Sequence, residues 1–201
     1  MSILILVRHG QSIYNFENRF TGSLDIGLTK FGEEEAKFAG QKLCNFKFDF
    51  AYTSTLKRAQ ESLRIILEEM HQTYLKIIEN KALNERDYGS LQGLNKDETI
   101  SKYGANQVEI WRRSYAIRPP DGESLEDTFN RMIPFYKQEI EPKLRLNKTI
   151  LIVAHGNSLR ALIMYLENIS EEEISNFNIP TGIPKQYIFD ENLNILEVKY
   201  L

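Results

Sequence analysis

The sequence predicts an α/β fold in which helices cover both faces of a mainly parallel central sheet. Three short, mainly apolar runs, at Ile3–Val7, Phe48–Tyr52 and Ile150–Ala154, are typical of strands that are buried on both faces. Segments with helical periodicity separate these runs. Because strands that alternate with helices along a chain pair in parallel, we expect all three runs to lie in one sheet.

The composition is that of a globular protein with a substantial core. The 201 residues are 42% hydrophobic and 26% charged, with a formal net charge of −3, and we expect a single domain over residues 1–201. The sequence contains no cluster of basic residues of the kind that binds nucleic acid, so we expect no nucleic-acid partner. The one cysteine, Cys44, cannot form an internal disulfide, and its position after Leu43 indicates helix packing rather than a nucleophile.

The sequence contains no targeting or membrane signal. The first apolar run, Ile3–Val7, is too short for the apolar core of a signal peptide and follows no basic stretch. No segment approaches the ~20 apolar residues of a membrane helix. We therefore expect a cytoplasmic protein that does not contact a membrane.

Helical patterns and one unusual segment follow the second strand. Apolar residues recur at helical spacing over Leu56–Met70 and again over Leu125–Ile140. Ser124 and Asp127 predict a capping box at the start of the second helix. Between these helices, Leu83–Pro120 is polar, rich in arginine and tyrosine and without a strand pattern. We expect a partly helical insertion there, folded over the edge of the sheet and contributing to the active site.

The last part of the chain predicts a short helix and a hairpin. Ser170 and Glu173 form a second capping-box pattern. Beyond it, Gln186–Phe189 and Ile195–Tyr200 flank the turn-like segment Asp190–Asn194. Two such runs around a turn predict a terminal β-hairpin.

Residues suited to catalysis are concentrated in three loops that follow the predicted strands. The loops begin with Arg8–Ser12, Thr53–Arg58 and His155–Ser158. Ligands of open parallel sheets bind beyond the carboxyl ends of the strands. If the three strands are neighbours, two histidines and two arginines from these loops surround one point.

This group of side chains is suited to phosphoryl transfer. Arginine presents paired donors that fit phosphate oxygens, and a neutral imidazole is a competent nucleophile near neutral pH. Gly10 and Gly156 would let the backbone approach a ligand, and a helix starting after Leu56 or Ser158 would direct amide donors at an anion. Because positioning and charge stabilisation dominate phosphoryl transfer, we interpret His9 as a phosphoryl carrier.

The competing interpretations of these histidines are a structural role and a metal site. One histidine after a strand is usually structural, but two of the three in the chain, His9 and His155, precede a glycine at a predicted strand end. The third, His71, lies at the polar end of a helix and is expected at the surface. The loops lack nearby carboxylate ligands, and their arginines would repel a cation, so we expect no metal.

Phosphoryl transfer also needs a general acid, because the ester oxygen that leaves must be protonated. Glu85 and Asp87 both offer a carboxylate in the predicted insertion, and the residues alone do not decide between them. Further on, Arg112 and Arg113 follow Trp111, either on an exposed helix face or as a further anion-binding group. The anionic ligand already inferred favours the anion-binding interpretation.

The same residues resemble the histidine phosphatase superfamily, and most closely its 2,3-bisphosphoglycerate-dependent phosphoglycerate mutase branch. The triplet Arg8–Gly10 marks only the superfamily. The blocks Leu83–Lys96, Trp111–Arg113 and His155–Arg160 are far more specific to the mutases. Other matching segments extend the resemblance over nearly the whole chain: Asn15, Asn18–Gly22, Tyr52–Ala59 and Asn178–Gly182.

The resemblance implies a role for each matching residue. His9 would carry the phosphoryl group, and Glu85 would be the proton donor and acceptor. Arg8, Arg58 and His155 would hold the phosphoryl group and stabilise the transition state. The implied substrate-binding residues are Arg8, Asn15, Thr21, Gly22, Arg58, Glu85, Tyr88, Lys96, Arg112, Arg113, Gly156 and Asn157.

The reaction implied by the resemblance is the interconversion of 2-phosphoglycerate and 3-phosphoglycerate, in glycolysis and gluconeogenesis. 2,3-Bisphosphoglycerate would be the cofactor that primes the enzyme, without a metal. The implied partners are these small phosphoglycerates and, from the habit of the family, a second copy of the chain in a homodimer.

Two departures from longer family members concern elements that cover the site. The stretch Pro119–Leu125 is short, and the chain ends at Leu201 without a polar C-terminal tail. Because a lid protects a reactive intermediate from water, a phosphomonoesterase of the same superfamily is the alternative function. A non-catalytic binding module is disfavoured, since every catalytic position of the motif is intact.

Overall fold

A six-stranded sheet forms the centre of the protein, whose computed structural model describes all residues from Met1 to Leu201. The strand order across the sheet is β3-β2-β4-β1-β5-β6. In chain order the strands are β1 (Ser2–Arg8), β2 (Phe50–Thr53), β3 (Ile77–Glu79), β4 (Thr149–Ala154), β5 (Lys185–Phe189) and β6 (Ile195–Tyr200).

The pairing confirms the predicted α/β class. β3, β2, β4 and β1 run parallel to one another. β5 pairs antiparallel with β1, and β6 pairs antiparallel with β5. The three predicted strands are β1, β2 and β4, and the predicted terminal hairpin is formed by β5 and β6. β3 was not predicted, because its three residues are too few to show a period.

Nine α-helices flank or precede the strands. In chain order they are α1 (Ile13–Phe16), α2 (Lys30–Leu43), α3 (Lys57–Glu69), α4 (Lys96–Tyr103), α5 (Ala105–Arg113), α6 (Leu125–Phe135), α7 (Glu141–Arg145), α8 (Gly156–Glu167) and α9 (Glu171–Asn176). α2 and α3 pack on one face of the sheet, and α6 and α8 pack on the other.

Alternating residues of the central strands fill a core on each face. Leu4 and Leu6 of β1 pack with α6 and α8, whereas Ile5 and Val7 pack with α2 and α3. All four side chains are buried, and each stabilises the fold by about 2 kcal/mol through removal from water. Burial on both faces explains why the strand sequence has no polar alternation.

Both predicted capping boxes are present. The hydroxyl of Ser124 accepts a hydrogen bond from the amide of Asp127, at 3.0 Å. Ser170 does the same for the amide of Glu173, at 3.2 Å. These bonds satisfy amide groups that have no partner within the first helical turn, and they set the starts of α6 and α9.

The helix predicted over Leu125–Ile140 changes its winding before it ends. α6 is followed by a π-helical turn, Tyr136–Ile140, in which the amide of Glu141 donates to the Tyr136 carbonyl. Pro142 has no amide proton to donate to the Gln138 carbonyl, so an α-helical bond is lost at this point. The periodicity alone did not predict this change of pitch.

The segment 83–120 contains helices and no strand, as predicted. It includes a 3₁₀ turn at Gly89–Leu91 followed by α4 and α5. Leu91 and Val108 of this segment form a small separate core with Phe20. This core holds the segment beside the carboxyl ends of the parallel strands.

Two surface positions and the helix lengths complete the description. Cys44 is exposed at the C-terminal end of α2, so the helix-packing interpretation was wrong. Leu43 is the last residue on the buried face of α2, and the side chain that follows it points away from that face. His71 is exposed, as expected. None of the helices combines the length and the apolar character needed to cross a bilayer.

Candidate active site

The carboxyl ends of three parallel strands meet at one pocket. β4 lies between β1 and β2, so the residues that follow these strands are neighbours. The amide of His9 donates to the Ala154 carbonyl at 3.0 Å, which joins the end of β1 to that of β4. As a result, the ring centroids of His9 and His155 lie 5.0 Å apart, with the rings at 60°.

The pocket has a volume of about 140 Å³ and a strongly cationic wall. Only two of its 17 lining residues are hydrophobic. The wall contains one carboxylate, that of Glu85, and the cationic side chains of Arg8, Arg19, Arg58, Lys96, Arg112, Arg113 and Arg160. Such a wall suits a small ligand with more than one negative charge.

The structure brings the candidate residues of the sequence together at this pocket. Its wall includes Arg8, His9, Asn15, Thr21, Gly22, Arg58, Glu85, Tyr88, Lys96, Arg112, Arg113, Gly156 and Asn157. The remaining candidate, His155, is not part of the wall. It is fully buried beside His9.

The imidazole of His9 is held in one tautomer. Its Nδ1 atom lies 2.6 Å from the Gly10 carbonyl oxygen. A carbonyl only accepts hydrogen bonds, so Nδ1 carries the proton and donates it. The lone pair of the ring is therefore on Nε2, which is the atom available as a nucleophile.

Both imidazoles are neutral at physiological pH. Burial lowers the pKa of His9 well below the ordinary value of 6.5, and the positive charges of Arg58 and Arg8 lower it further. The pKa of His155 is lowered in the same way, first by burial and then by Arg58. A neutral imidazole has the lone pair that nucleophilic attack requires.

Arg8 and Arg58 are fixed by backbone carbonyls. Nη1 of Arg8 donates to the Ile179 carbonyl at 2.8 Å, and Arg58 donates to the carbonyls of Leu24 and Gly22, each at 2.8 Å. Burial lowers the pKa of Arg58 to about 10, which leaves it charged at pH 7. The Nε atoms of both arginines are buried and have no acceptor in the protein, so they suit an anionic ligand.

Glu85, and not Asp87, is the carboxylate in the pocket. Its Oε1 atom accepts from the amides of Arg86 and Asn157, at 2.9 and 3.0 Å, whereas its Oε2 atom makes no hydrogen bond within the protein. Asp87 instead accepts from the Ser23 hydroxyl and from a backbone amide in its own turn. The structure therefore places only one of the two candidate carboxylates, that of Glu85, in the pocket.

The cationic pair at the end of α5 is part of the pocket wall rather than an isolated exposed face. Arg112 and Arg113 line the pocket, and each side chain is about one-third exposed and paired with Glu109. The fully buried Arg86 donates to the carbonyls of Trp111 and Arg112, both at 3.0 Å. Arg86 thus fastens the end of α5 next to the Glu85 loop.

The backbone features predicted for ligand binding also make contacts within the protein. A Cβ atom on Gly10 would lie 2.1 Å from the Gly32 carbonyl oxygen, so glycine is needed there for packing against α2. α8 begins at Gly156, not after Ser158. One amide at the start of each helix already has a partner, because Asn157 of α8 donates to the Glu85 carboxylate and Lys57 of α3 donates to that of Asp25.

Four further residues line the pocket that were not among the candidates: Arg19, Phe20, Arg160 and Asn178. Arg160 is buried in α8, and its Nη1 atom donates to the Asn157 side-chain oxygen at 2.9 Å. Arg19 donates to the Gly93 carbonyl at 2.8 Å. All four lie inside the matching segments of the sequence, which was the only signal that could have indicated them.

The fold and the pocket agree with a match to the family model of the histidine phosphatase superfamily, branch 1, over residues 4–195, so the chain belongs to this superfamily. Three relatives carry the name 2,3-bisphosphoglycerate-dependent phosphoglycerate mutase. That of Cytophaga hutchinsonii is 54% identical over 201 residues, which are 100% of this chain and 94% of the relative. That of Bartonella quintana is 54% identical over 194 residues, 96% of this chain and 94% of the relative. That of Treponema denticola is 48% identical over 225 residues, covering 98% of this chain and 91% of the relative.

By these similarities the chain belongs to the 2,3-bisphosphoglycerate-dependent phosphoglycerate mutase family of this superfamily. Solved structures show the same fold at lower identity. A mycobacterial glucosyl-3-phosphoglycerate phosphatase superposes with a TM-score of 0.85 at 23% identity, covering 100% of this chain and 97% of that one. The α-ribazole phosphatase of Shigella flexneri superposes with a TM-score of 0.83 at 24% identity, covering 98% of this chain and 95% of that one.

Proposed function

We propose that the chain interconverts 2-phosphoglycerate and 3-phosphoglycerate through a phosphohistidine at His9, as a step of glycolysis and gluconeogenesis. One observation carries the proposal. The pocket combines a neutral imidazole, the single carboxylate of Glu85 and seven cationic side chains. The shared name of relatives at 48–54% identity supports the same activity.

The chemical step uses His9 and Glu85. The Nε2 lone pair of His9 forms a bond to phosphorus as the bond from phosphorus to the ester oxygen breaks, and Glu85 gives its proton to that oxygen. In the return step, Glu85 takes the proton of the acceptor hydroxyl as that oxygen attacks phosphorus and the P–N bond breaks. The free Oε2 atom of Glu85 is suited to this exchange, since Oε1 is already held by two amides.

The side chains nearest His9 would stabilise the moving phosphoryl group. Arg8 and Arg58 are anchored by carbonyls and have free buried Nε donors. Asn15 and Gly156 line the same part of the pocket. Donors that are fixed before the reaction stabilise developing charge without reorganisation.

The rest of the substrate would lie against the opposite wall. Lys96, Arg112 and Arg113 supply positive charge for a carboxylate and a second phosphate. Thr21, Gly22, Tyr88 and Asn157 complete the lining. A broad phosphatase does not need this second anionic subsite, whereas a mutase must hold both ends of a bisphosphate.

The pocket also fits 2,3-bisphosphoglycerate. Besides the Nε atoms of Arg8 and Arg58, Nε of Arg160 and the Thr21 hydroxyl are buried without a partner in the protein, and a polyanion would satisfy such donors. Arg8 and Arg58 beside His9, together with Lys96, would hold it. When bound, it supplies the phosphoryl group that loads His9.

We expect isomerisation to require catalytic 2,3-bisphosphoglycerate and to be unaffected by a chelator, because guanidinium groups supply the positive charge that a metal would supply elsewhere, and the neutral imidazole of His9 supplies the nucleophile. The measurement follows 2-phosphoglycerate and inorganic phosphate together, starting from 3-phosphoglycerate with EDTA and with or without the primer. Isomerisation should greatly exceed phosphate release. Phosphate release without isomerisation would replace the proposal with a phosphomonoesterase, and loss of activity in EDTA would contradict the metal-free part.

We expect His9 and His155 to show no protonation step near pH 6.5. Their pKa values are lowered, so the unfolded chain binds protons in this range that the folded protein does not, and the free energy of unfolding falls as the pH drops below 6.5. Imidazole NMR signals recorded from pH 8 down to about pH 5 test this, with urea unfolding at the same pH values. A titration of either ring centred at 6.5 would contradict it.

The proposal includes three broader features. One continuous sheet with cores on both faces supports a single domain over residues 1–201, to which the insertion 83–120 contributes Glu85 and the α5 arginines. The phosphoglycerate chemistry supports a cytoplasmic location. The homodimer rests on family habit, and light scattering tests it: a single 23.4 kDa species would contradict it.

A further inference from the structure

We propose that Ser54 is a positioning residue whose hydroxyl donates to Nε2 of His155, so that the imidazole proton of His155 resides on Nδ1. The use of this Nδ1–H group, as a donor to the moving phosphoryl group, rests on the proposed function. The assignment of the tautomer does not rest on the proposed function. Ser54 is the residue directly after β2, and it was not among the site residues predicted from the sequence.

The contact joins two buried groups. Ser54 and His155 are both 0% exposed, and the Ser54 oxygen lies 2.7 Å from Nε2 of His155. The same oxygen accepts a second hydrogen bond from the amide of Leu56, at 3.2 Å. β2 and β4 are adjacent and parallel, and this register places the residues after them side by side.

Counting donors and acceptors selects the direction of the bond. The Ser54 oxygen already accepts from the Leu56 amide, and His155 Nε2 is the only acceptor available to its hydroxyl proton. If Nε2 were the donor instead, both the buried hydroxyl proton and the lone pair of the buried Nδ1 would lack a partner, whereas with Nε2 as the acceptor only the Nδ1–H group does. The hydroxyl therefore donates, and Nε2 accepts with its lone pair.

The tautomer matters because His155 carries a single ring proton. Burial and the charge of Arg58 keep this imidazole neutral, so a proton fixed on Nδ1 leaves none on Nε2. Nδ1 is buried and forms no hydrogen bond within the protein, since the amide of Ser158 at the start of α8 faces the His155 side chain without reaching hydrogen-bond geometry. The ring of His155 lies 5.0 Å from that of His9. The N–H group is thus a free donor beside the nucleophile, where the equatorial phosphoryl oxygens gain charge during transfer.

The first test reads the tautomer in the unmodified protein without substrate. Nitrogen-15 NMR of histidine-labelled protein distinguishes a protonated ring nitrogen from one with a lone pair. The chain has only three histidines, and the exposed His71 can be removed as His71→Asn to complete the assignment. We expect the His155 proton on Nδ1. A proton on Nε2 overturns the proposal, whether or not the chain is a mutase.

The second test compares variants by the same spectrum and by steady-state kinetics with 3-phosphoglycerate. Ser54→Ala should lose the fixed tautomer and lower kcat by up to about 100-fold, the lower end of the loss caused by removing one donor to a developing charge, because the His155 ring itself remains; KM should change little. Ser54→Thr keeps the hydroxyl and should restore both the Nδ1–H signature and most of kcat. A folded Ser54→Ala protein with unchanged kcat and an unchanged His155 tautomer would overturn the proposal.

Thr53 provides the matched control. Its hydroxyl is buried one residue earlier and donates to the Val153 carbonyl at 2.8 Å, without contacting a histidine. Thr53→Val should therefore weaken packing but keep the His155 tautomer and kcat. If Thr53→Val lowered kcat and changed the tautomer as Ser54→Ala does, the effect would be general loosening of the strand ends, and the specific role of Ser54 would be refuted.

Discussion

His9→Ala should abolish isomerisation, with kcat reduced roughly 10⁶-fold, as when another covalent enzyme loses its nucleophile. The reason is geometric. Donation from Nδ1 to the Gly10 carbonyl places the lone pair on Nε2, and no other side chain of the wall combines neutrality with a nucleophilic nitrogen. The measurement is kcat for 2-phosphoglycerate formation, together with acid-labile phosphate retained on the protein after incubation with labelled 2,3-bisphosphoglycerate.

The control for this result is the exposed histidine. His71→Asn should keep full activity and full labelling, because His71 lies at the surface and asparagine tolerates its positive φ of 54°. Substantial turnover or acid-labile labelling in His9→Ala would place the phosphoryl group on another residue and refute the proposed mechanism.

Glu85→Gln should lower kcat by about 10²- to 10⁴-fold, the range expected when a general acid and base is removed. Glutamine keeps the size of the side chain and an oxygen that can accept from the amides of Arg86 and Asn157. It cannot give a proton to the leaving oxygen or take one from the acceptor hydroxyl. The loss should therefore appear in kcat more than in KM, and primer binding should persist.

Asp87 is the matched carboxylate for this experiment. It lies two residues along the same loop but is bonded to Ser23 and to its own turn. Asp87→Asn should leave kcat close to that of the unmodified protein and lower stability slightly. If Asp87→Asn lost activity and Glu85→Gln kept it, the two carboxylates would have to exchange roles.

The sequence predicted the parts of the site that depend on strand ends. Apolar runs locate β1, β2 and β4, and parallel pairing then forces His9, Arg58 and His155 together. No detailed packing is needed for this inference. The same holds for the capping boxes of α6 and α9, which depend on residues three positions apart.

Other features could not be predicted, because they depend on contacts between distant segments. Glu85 and Asp87 have the same chemistry and neighbouring positions, so that only the family resemblance indicated Glu85, and the contact that distinguishes them in the structure is the approach of α8 to the Glu85 loop. Gly10 requires its small size because Gly32 of α2 passes against it. The bond between Ser54 and His155 joins residues that are 101 positions apart, and no local pattern indicates it.

The placement of β4 between β1 and β2 has a consequence for folding. β1 pairs with β4 from Ile3 opposite Thr149 to Arg8 opposite Ala154, so the chain must close a loop of most of its length before the nucleophile meets its neighbours. Such non-local pairing slows folding. The pocket should therefore form during refolding only when β1 pairs with β4, so activity should return no earlier than this central pairing.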